Sequence, residues 1–212
     1  MKKHQKLFLY SLSASDEQFK LLDELVGRKR SEITFGIIAN ATDVIENSEG
    51  WVGEMIGAIG QKGYKTETID LRNWTRDKNG LKELIASKDV IWVCGGHTYY
   101  LRWILAASGA DEIIIDLVNN GKVYAGWSAG AVVAGPTTKY FNHMGDNPED
   151  SPQVILNGLN LTNCVVVPHI DHPDFEKGAA LTNHELIIDG YETITLKDNQ
   201  VLIIDGDNRT II

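Results

Sequence analysis

Short apolar segments alternate repeatedly along this chain with longer segments of helical spacing. Apolar runs bounded by turn residues predict strands, and apolar residues that recur every three or four positions predict helices. Their alternation predicts an α/β fold with a mostly parallel sheet and helices on both faces. The predicted strands are 7–12, 33–39, 66–71, 89–94, 122–126, 163–168, 192–196 and 201–205. The predicted helical segments are 19–25, 51–59, 81–85, 100–107, 112–119 and 181–188.

Two connections carry further expectations. Only Lys197 to Gln200 separate the last two predicted strands, so these strands are expected to form a terminal hairpin around 197–199. The polar segment 137–152 contains several turn-forming residues and is expected to be a loop over the sheet. With 212 residues and no linker-like tract, the chain is expected to form a single domain, 1–212.

Charge and cysteine usage narrow the partners and the compartment. The formal net charge of -9 argues against nucleic acid or an anionic membrane as a partner. No apolar run has the length that a membrane span needs. Cys94 and Cys164 both lie in apolar runs and are expected to be buried thiols rather than a disulfide. A reducing, cytoplasmic location is therefore expected.

The segment 126–130, Gly-Trp-Ser-Ala-Gly, follows a predicted strand and precedes a helix-permissive run of small residues. A nucleophile elbow needs this context, because the chain must turn sharply and the residues beside the serine must be small. The turn would hold the Ser128 hydroxyl above the sheet and point the amide of Ala129 toward a developing oxyanion. A glycine-rich turn with a capping serine is the alternative interpretation.

A serine hydroxyl needs a base to become a nucleophile, and the base needs an orienting group. His169 directly follows a predicted strand, which places it at the same type of sheet edge as Ser128. His172 is the second candidate. Gly95 and Gly96 end another strand, and a glycine there leaves its amide open to a substrate, so the Gly96 amide is a candidate second oxyanion donor.

Three blocks of the chain together resemble peptidase family S51, the group of dipeptidase E and cyanophycinase. The blocks are VCGGHTYYL at 93–101, GWSAGAVVAGP at 126–136 and VVPHID at 166–171. The middle block is the most specific, because GWSAGA followed by AGP is far rarer than a simple GxSxG pattern. The resemblance implies a serine hydrolase on a fold similar to class I glutamine amidotransferases, a flavodoxin-like three-layer sandwich.

The resemblance also implies roles for individual residues. Ser128 corresponds to the family's nucleophile and His169 to its base, while the amides of Gly96 and Ala129 correspond to its oxyanion donors. The family's late strand–turn acid corresponds to Asp198 in the stretch 196–199, where a plain hairpin-turn aspartate is the alternative.

The acid has other candidates. An earlier assignment in the family points to a position shortly after the serine, which is His143 here, so Asp146 ranks second and Asp150 is a further equivalent. Asp171 lies close to His169 in sequence but is expected to point away from it.

The chain departs from the family at two places that concern the substrate. His97 stands where dipeptidase E members have an Asn, and His97 and Trp127 are candidate substrate contacts. The resemblance to dipeptidase E implies recognition of an N-terminal aspartate by arginines placed after the catalytic histidine. Here 170–190 contains one cation, Lys177, and no arginine. A carboxylate clamp favours a bidentate Arg, so strict Asp-X specificity is not expected.

The expected activity is that of an exopeptidase or dipeptidase that hydrolyses small peptides through an acyl-enzyme, without cofactor or metal, as a monomer or homodimer. An esterase or deacylase is one alternative, although the α/β-hydrolase order of Ser, acid, His differs from the order Ser, His, acid favoured here. A non-catalytic binding protein of the same fold is another. A metal site at His169 and His172 with Asp171 and Asp174 is disfavoured, because no third ligand cluster is evident.

Overall fold

A seven-stranded, mostly parallel sheet forms the centre of the computed structural model, which describes residues 4–212. The strands of the chain are β1 (Lys6–Tyr10), β2 (Thr34–Ile38), β3 (Lys65–Thr68), β4 (Val90–Val93), β5 (Val123–Trp127), β6 (Cys164–Val167), β7 (Glu192–Thr195), β8 (Val201–Asp205) and β9 (Asn208–Ile211). The order in the large sheet is β3-β2-β4-β5-β1-β8-β9. Strands β1 to β5 are parallel to one another, β8 pairs antiparallel with β1, and β9 pairs antiparallel with β8 at the edge of the sheet.

Helices cover both faces of this sheet. They are α1 (Asp16–Val26), α2 (Glu49–Gln61), α3 (Lys78–Ala86), α4 (Thr98–Ser108), α5 (Ala110–Asn119), α6 (Ala129–Val133) and α7 (Glu176–Ile188). Short 3-10 helices lie at 30–32, 40–42, 71–74, 141–144 and 148–150.

The alternation of side chains along β1 explains how one sheet supports two cores. Leu7 and Leu9 pack into a cluster with α3, α4, α5 and α6, whereas Phe8 and Tyr10 pack with α1 and α2. Successive strand residues point to opposite faces, so a strand that is apolar at every position must be covered on both sides. The predicted three-layer α/β sandwich is confirmed.

A second, smaller sheet corrects the predicted terminal hairpin. β7 pairs in parallel with β6, and these two strands form a sheet of their own. β8 instead joins the large sheet beside β1, and the terminal hairpin is β8–β9. The physical reason is burial, since Val201, Leu202 and Ile204 of β8 are all at most 3% exposed and pack into the two cores of the large sheet, while no residue of β7 is fully buried.

Two further expectations concern the loop and the cysteines. Segment 137–152 is irregular apart from its two 3-10 helices, and the first of them packs against α7. Cys94 and Cys164 are buried free thiols, as predicted. Among residues 4–212, no helix is both long enough and apolar enough to cross a lipid bilayer.

Candidate active site

Neighbouring strand ends bring the predicted site residues together. β4, β5 and β1 are adjacent parallel strands, and their carboxyl ends lead into Gly96, Ser128 and Ser11 respectively. The sequence predicted His169 at a strand end of this same kind. His169 and Asp198 do follow strand ends, but these are β6 and β7 of the small sheet. The candidate site therefore lies where the carboxyl ends of parallel strands from the large sheet meet those of the small sheet.

The elbow around Ser128 leaves no room for larger residues. A Cβ atom on Gly126 would lie 2.5 Å from the carbonyl oxygen of Gly130. A Cβ atom on Gly130 would lie 2.1 Å from the carbonyl oxygen of Val93 in β4. Both distances are far inside van der Waals contact, so only glycine allows helix α6 to start this close to β4 and β5. The spacing of the two glycines in the sequence has this steric cause.

The backbone of Ser128 is held in a rare conformation, with φ 48° and ψ -111°. Such backbone strain persists only where the surrounding structure fixes it, and it clusters at functional sites. The amide of Ser128 donates to the carbonyl oxygen of Tyr10 at 3.0 Å, which ties the elbow to β1. The hydroxyl is thereby fixed above the carboxyl edge of the sheet.

The three side chains predicted as nucleophile, base and acid form one hydrogen-bonded chain. Ser128 Oγ lies 2.8 Å from His169 Nε2, and His169 Nδ1 lies 2.7 Å from Asp198 Oδ1. A carboxylate can only accept, so the ring proton sits on Nδ1 and Nε2 accepts from the serine hydroxyl. This is the tautomer that a general base for Ser128 needs.

The environment keeps His169 able to accept a proton. The residue is 5% exposed, and burial lowers the pKa of its imidazole below the ordinary 6.5, against the hydrogen bond and charge of Asp198, which raise it. Phe175 packs on the ring, with 5.2 Å between ring centroids. A neutral imidazole with a free Nε2 lone pair is therefore the resting form near neutral pH.

Two backbone amides are suited to bind an oxyanion beside Ser128. The amide of Ala129 is the first in α6, and amides of a first helical turn have no carbonyl partner within the helix. Gly96 has φ 137°, a conformation that favours glycine, and a Cβ atom there would lie 2.5 Å from the carbonyl oxygen of Ala41. Both residues line the same cleft as Ser128.

The cleft over Ser128 has a volume of about 500 Å³, a size that suits a small ligand. Its walls are mainly apolar and include Leu12, Val44, Ile45, Trp51 and Phe175. Its charged lining residues are Asp146 and Asp150, and no Lys or Arg lies among the lining residues. The candidate site is therefore apolar with one acidic region.

Trp127, a predicted substrate contact, lines the cleft beside Ser128. Its ring stacks on Tyr10 with 6.4 Å between centroids and meets the edge of Trp51 at 5.9 Å. Its Nε1 atom is buried and has no hydrogen-bond partner among residues 4–212. A ligand in the cleft would therefore contact the apolar surface of the Trp127 ring and not its Nε1 atom.

His97, the other predicted substrate contact, also lines the cleft, but both of its ring nitrogens are engaged. Nδ1 accepts from the amide of Tyr100 at 3.2 Å and so caps the start of α4. Nε2 then donates to the carbonyl oxygen of Asn147 at 2.9 Å. His97 therefore holds the loop 137–152 against α4, and a ligand can reach only its ring surface.

The alternatives for acid and base have other partners. Asp146 accepts from the amide of Thr98 at 2.9 Å, and burial raises the pKa of its carboxyl. Asp150 Oδ2 lies 3.8 Å from His97 Nε2. The ring of His172 meets His169 edge-on at 6.0 Å, and its Nδ1 accepts from the amide of Asp174 at 3.2 Å.

The contacts of two residues at the site were not anticipated from the sequence. Ser11 is completely buried and contacts both His169 and Asp198 through its hydroxyl. Asp171 was expected to point away from His169, and its Oδ1 accepts from the amide of Asp198 at 2.9 Å. A signal for Ser11 existed, because it directly follows β1 just as Ser128 follows β5.

Within residues 4–212, no group of three or more His, Cys, Asp or Glu side chains is arranged to hold a metal ion. The loop with His169 and His172, considered above as a weak metal motif, is instead organised by the hydrogen bonds of His169 to Ser128 and Asp198.

Comparison with known proteins defines the class to which this fold and site belong. The model of peptidase family S51 matches residues 7–212, and the chain belongs to this family. An uncharacterised peptidase from Pasteurella multocida is 29% identical over 98% of this chain and 97% of its own length. Peptidase E of a Nostoc species is 36% identical and covers 77% of this chain and 60% of its own length.

A solved structure agrees with both the family and the fold. A crystal structure of a Listeria monocytogenes EGD-e protein assigned as a peptidase E superimposes with a TM-score of 0.80. The two chains are 26% identical, and the match covers 99% of this chain and 98% of the other. Membership of this family supports peptide hydrolysis and peptide substrates. It does not identify the catalytic residues or the particular peptide.

Proposed function

We propose that the protein is a serine-type peptidase that hydrolyses amide bonds of small peptides through an acyl-enzyme on Ser128. The observation that carries this proposal is the chain of hydrogen bonds from Ser128 Oγ to His169 Nε2 and from His169 Nδ1 to Asp198 Oδ1. Membership of peptidase family S51 supports a peptide as the substrate. The amides of Gly96 and Ala129 complete the set of groups that acyl transfer needs.

In the first half of the reaction, Ser128 Oγ forms a bond to the substrate carbonyl carbon while its proton moves to His169 Nε2. The negative charge on the carbonyl oxygen is stabilised by the amides of Gly96 and Ala129, each worth roughly 10²–10³ in rate. Asp198 stabilises the imidazolium that forms. The C–N bond then breaks, and the leaving amine takes the proton from Nε2.

In the second half, water attacks the ester carbon and gives its proton to His169 Nε2. The bond between Ser128 and the acyl carbon breaks, the serine oxygen regains the proton, and a carboxylic acid leaves. The overall reaction consumes only peptide and water, and each proton transfer passes through His169 Nε2.

The cleft supports short substrates of a particular chemistry. Its volume of about 500 Å³ matches a dipeptide better than a folded protein, and Met144, Gly145 and Asp146 of the loop 137–152 lie along it. Its apolar walls suit an apolar side chain, and Asp146 and Asp150 suit the free ammonium group of a peptide. An N-terminal aspartate side chain would meet no Lys or Arg among the lining residues.

A dipeptide library with varied N-terminal residues tests the proposal, with Ser128→Ala and the exposed Ser13→Ala as paired variants. We expect wild type and Ser13→Ala to cleave dipeptides with apolar N-terminal residues, and Ser128→Ala to cleave none while melting at a similar temperature. Turnover by Ser128→Ala would exclude Ser128 as the nucleophile. Digestion of casein would exclude a cleft restricted to short peptides.

The same proteins separate the peptidase from its alternatives. A fluorophosphonate probe should label Ser128 in the wild type, because such probes react with an activated serine. A non-catalytic binding protein would stay unlabelled. An esterase would be labelled but would cleave p-nitrophenyl esters and leave amide dipeptides intact.

A further inference from the structure

Ser11 lies between His169 and Asp198, the proposed base and acid, and is itself neither of them. It directly follows β1, and none of its surface is exposed. Its Oγ accepts from the backbone amide of His169 at 2.8 Å and donates to Asp198 Oδ1 at 3.3 Å. The same oxygen lies 3.3 Å from His169 Nδ1. One buried hydroxyl therefore contacts both partners of the His–Asp pair.

The backbone of His169 explains why such a contact matters. His169 has φ 62°, which lies in the left-handed region that residues other than glycine rarely adopt. Strained conformations of this kind persist only where neighbouring groups hold them. The hydrogen bond from the His169 amide to Ser11 Oγ supplies such a restraint at the residue whose ring must face Ser128.

The turn that carries Asp198 is fixed by the same segment. The carbonyl oxygen of Asp198 accepts from the amides of Leu12 at 3.1 Å and Ser13 at 2.8 Å. These backbone bonds hold the turn in place, but they leave its carboxylate free to rotate. The Ser11 hydroxyl is the group of this segment that reaches Oδ1, the oxygen that also accepts from His169.

We propose that Ser11 is a positioning residue that aligns the His169 ring and the Asp198 carboxylate for proton transfer from Ser128. The inference rests on the proposed function, because it concerns the rate at which Ser128 is activated. Ser11 is not among the residues that line the cleft, and its hydroxyl contacts His169 and Asp198 rather than Ser128. It acts through His169 and Asp198, whose geometry it keeps while the imidazole gains and loses charge.

The test compares Ser11→Ala with Ser13→Ala, since both serines contact Asp198 but Ser13 is exposed and reaches only its backbone oxygen, at 3.4 Å. The readouts are dipeptide turnover and the rate of fluorophosphonate labelling of Ser128. Because Ser11 bonds to a charged group, Ser11→Ala should lose about 10- to 100-fold in kcat and in labelling rate, with KM little changed. Ser13→Ala should stay within about two-fold of wild type. A Ser11→Ala protein as fast as Ser13→Ala would overturn the inference.

A double-mutant cycle separates positioning from a general loss of stability. In an Asp198→Ala background the hydroxyl has lost the carboxylate it aligns, so Ser11→Ala should slow labelling much less than it does in wild type. An equal loss in both backgrounds would show that Ser11 does not act through the Asp198 carboxylate and would refute the proposal. If Ser11→Ala does not fold, Ser11→Cys replaces it, because a thiol is similar in size and a weaker hydrogen-bonding group.

Amide hydrogen exchange at His169 gives a readout that does not depend on activity. Protection of this amide should fall in Ser11→Ala and remain in Ser13→Ala, and unchanged protection in Ser11→Ala would overturn the inference. A wild-type protein that the fluorophosphonate does not label would instead refute the proposed function, while the exchange measurement would still decide the role of Ser11.

Discussion

Replacing Asp198 by Asn tests the electrostatic centre of the proposed site, because it removes one charge and keeps the shape of the side chain. In the reaction the imidazole of His169 becomes positive, with its Nδ1 atom 2.7 Å from Asp198 Oδ1. Two unit charges at this distance interact by about 6 kcal/mol at an effective dielectric constant of about 20. The Asp198 side chain is 24% exposed and both charges are delocalised, so about 4–5 kcal/mol is a fairer magnitude.

A loss of this size corresponds to about a 10³- to 10⁴-fold fall in kcat, at 1.36 kcal/mol for each factor of ten. KM should change little, because the imidazolium exists in the transition state and not in the bound substrate. Steady-state dipeptide hydrolysis measures both quantities, and labelling of Ser128 by a fluorophosphonate provides an independent rate.

The matched control is Asp146→Asn, which makes the same chemical change at the second candidate for the acid. Asp146 accepts from the amide of Thr98 and not from His169, so kcat should stay within about ten-fold of wild type. A large loss in Asp146→Asn together with a small loss in Asp198→Asn would refute the assignment of Asp198. Equal, small losses in both variants would refute an acid-assisted His169 altogether.

Four other outcomes are expected. Gly130→Ala should destabilise the fold by about 3 kcal/mol in urea unfolding, because its Cβ atom would lie 2.1 Å from the Val93 carbonyl oxygen. Gly53→Ala in α2, where a Cβ atom meets nothing within 4 Å, should stabilise it by about 0.5–1 kcal/mol, and a reversed order would contradict the steric reading. The acid limb of a kcat/KM profile should have its midpoint below pH 6.5, since burial lowers the pKa of His169 and only the neutral ring accepts a proton; a midpoint above 6.5 would refute this. Dipeptides with N-terminal Leu should exceed those with N-terminal Asp in kcat/KM, because the cleft walls are mainly apolar and its lining residues include two aspartates and no Lys or Arg; a preference for Asp would contradict this.

The elbow could be predicted from the sequence because its causes are local. A strand, two glycines and a small helix start lie within a few residues of Ser128, and the sharp turn follows from their sizes. Gly126 is required by a contact within the elbow, with the backbone of Gly130, whereas the need for glycine at 130 comes from Val93 of the neighbouring strand β4. The alternation of apolar segments predicted the three-layer fold for a similar reason, since periodicity along the chain determines which faces can be buried.

Strand pairing could not be predicted in the same way, because it joins residues far apart in the chain. β7 and β8 are close in sequence, and their proximity suggested a hairpin, yet β7 pairs with β6 and β8 with β1. β7 and β8 differ in burial because of contacts that form only when the two cores of the large sheet are assembled.

A sharp turn at Ser128 and a histidine at a strand end could both be predicted from the sequence. Which acid faces that histidine depends on the tertiary structure, because Asp198 and Asp146 both lie in segments rich in turn-forming residues. The pairing of β6 with β7 places Asp198, and not Asp146, beside His169 Nδ1. The tertiary structure also decided the part of Ser11, a residue 158 positions from His169 in the chain that lies within hydrogen-bonding distance of it. Local steric rules act between neighbours in the chain, whereas the alignment of groups from distant segments depends on how whole sheets pack.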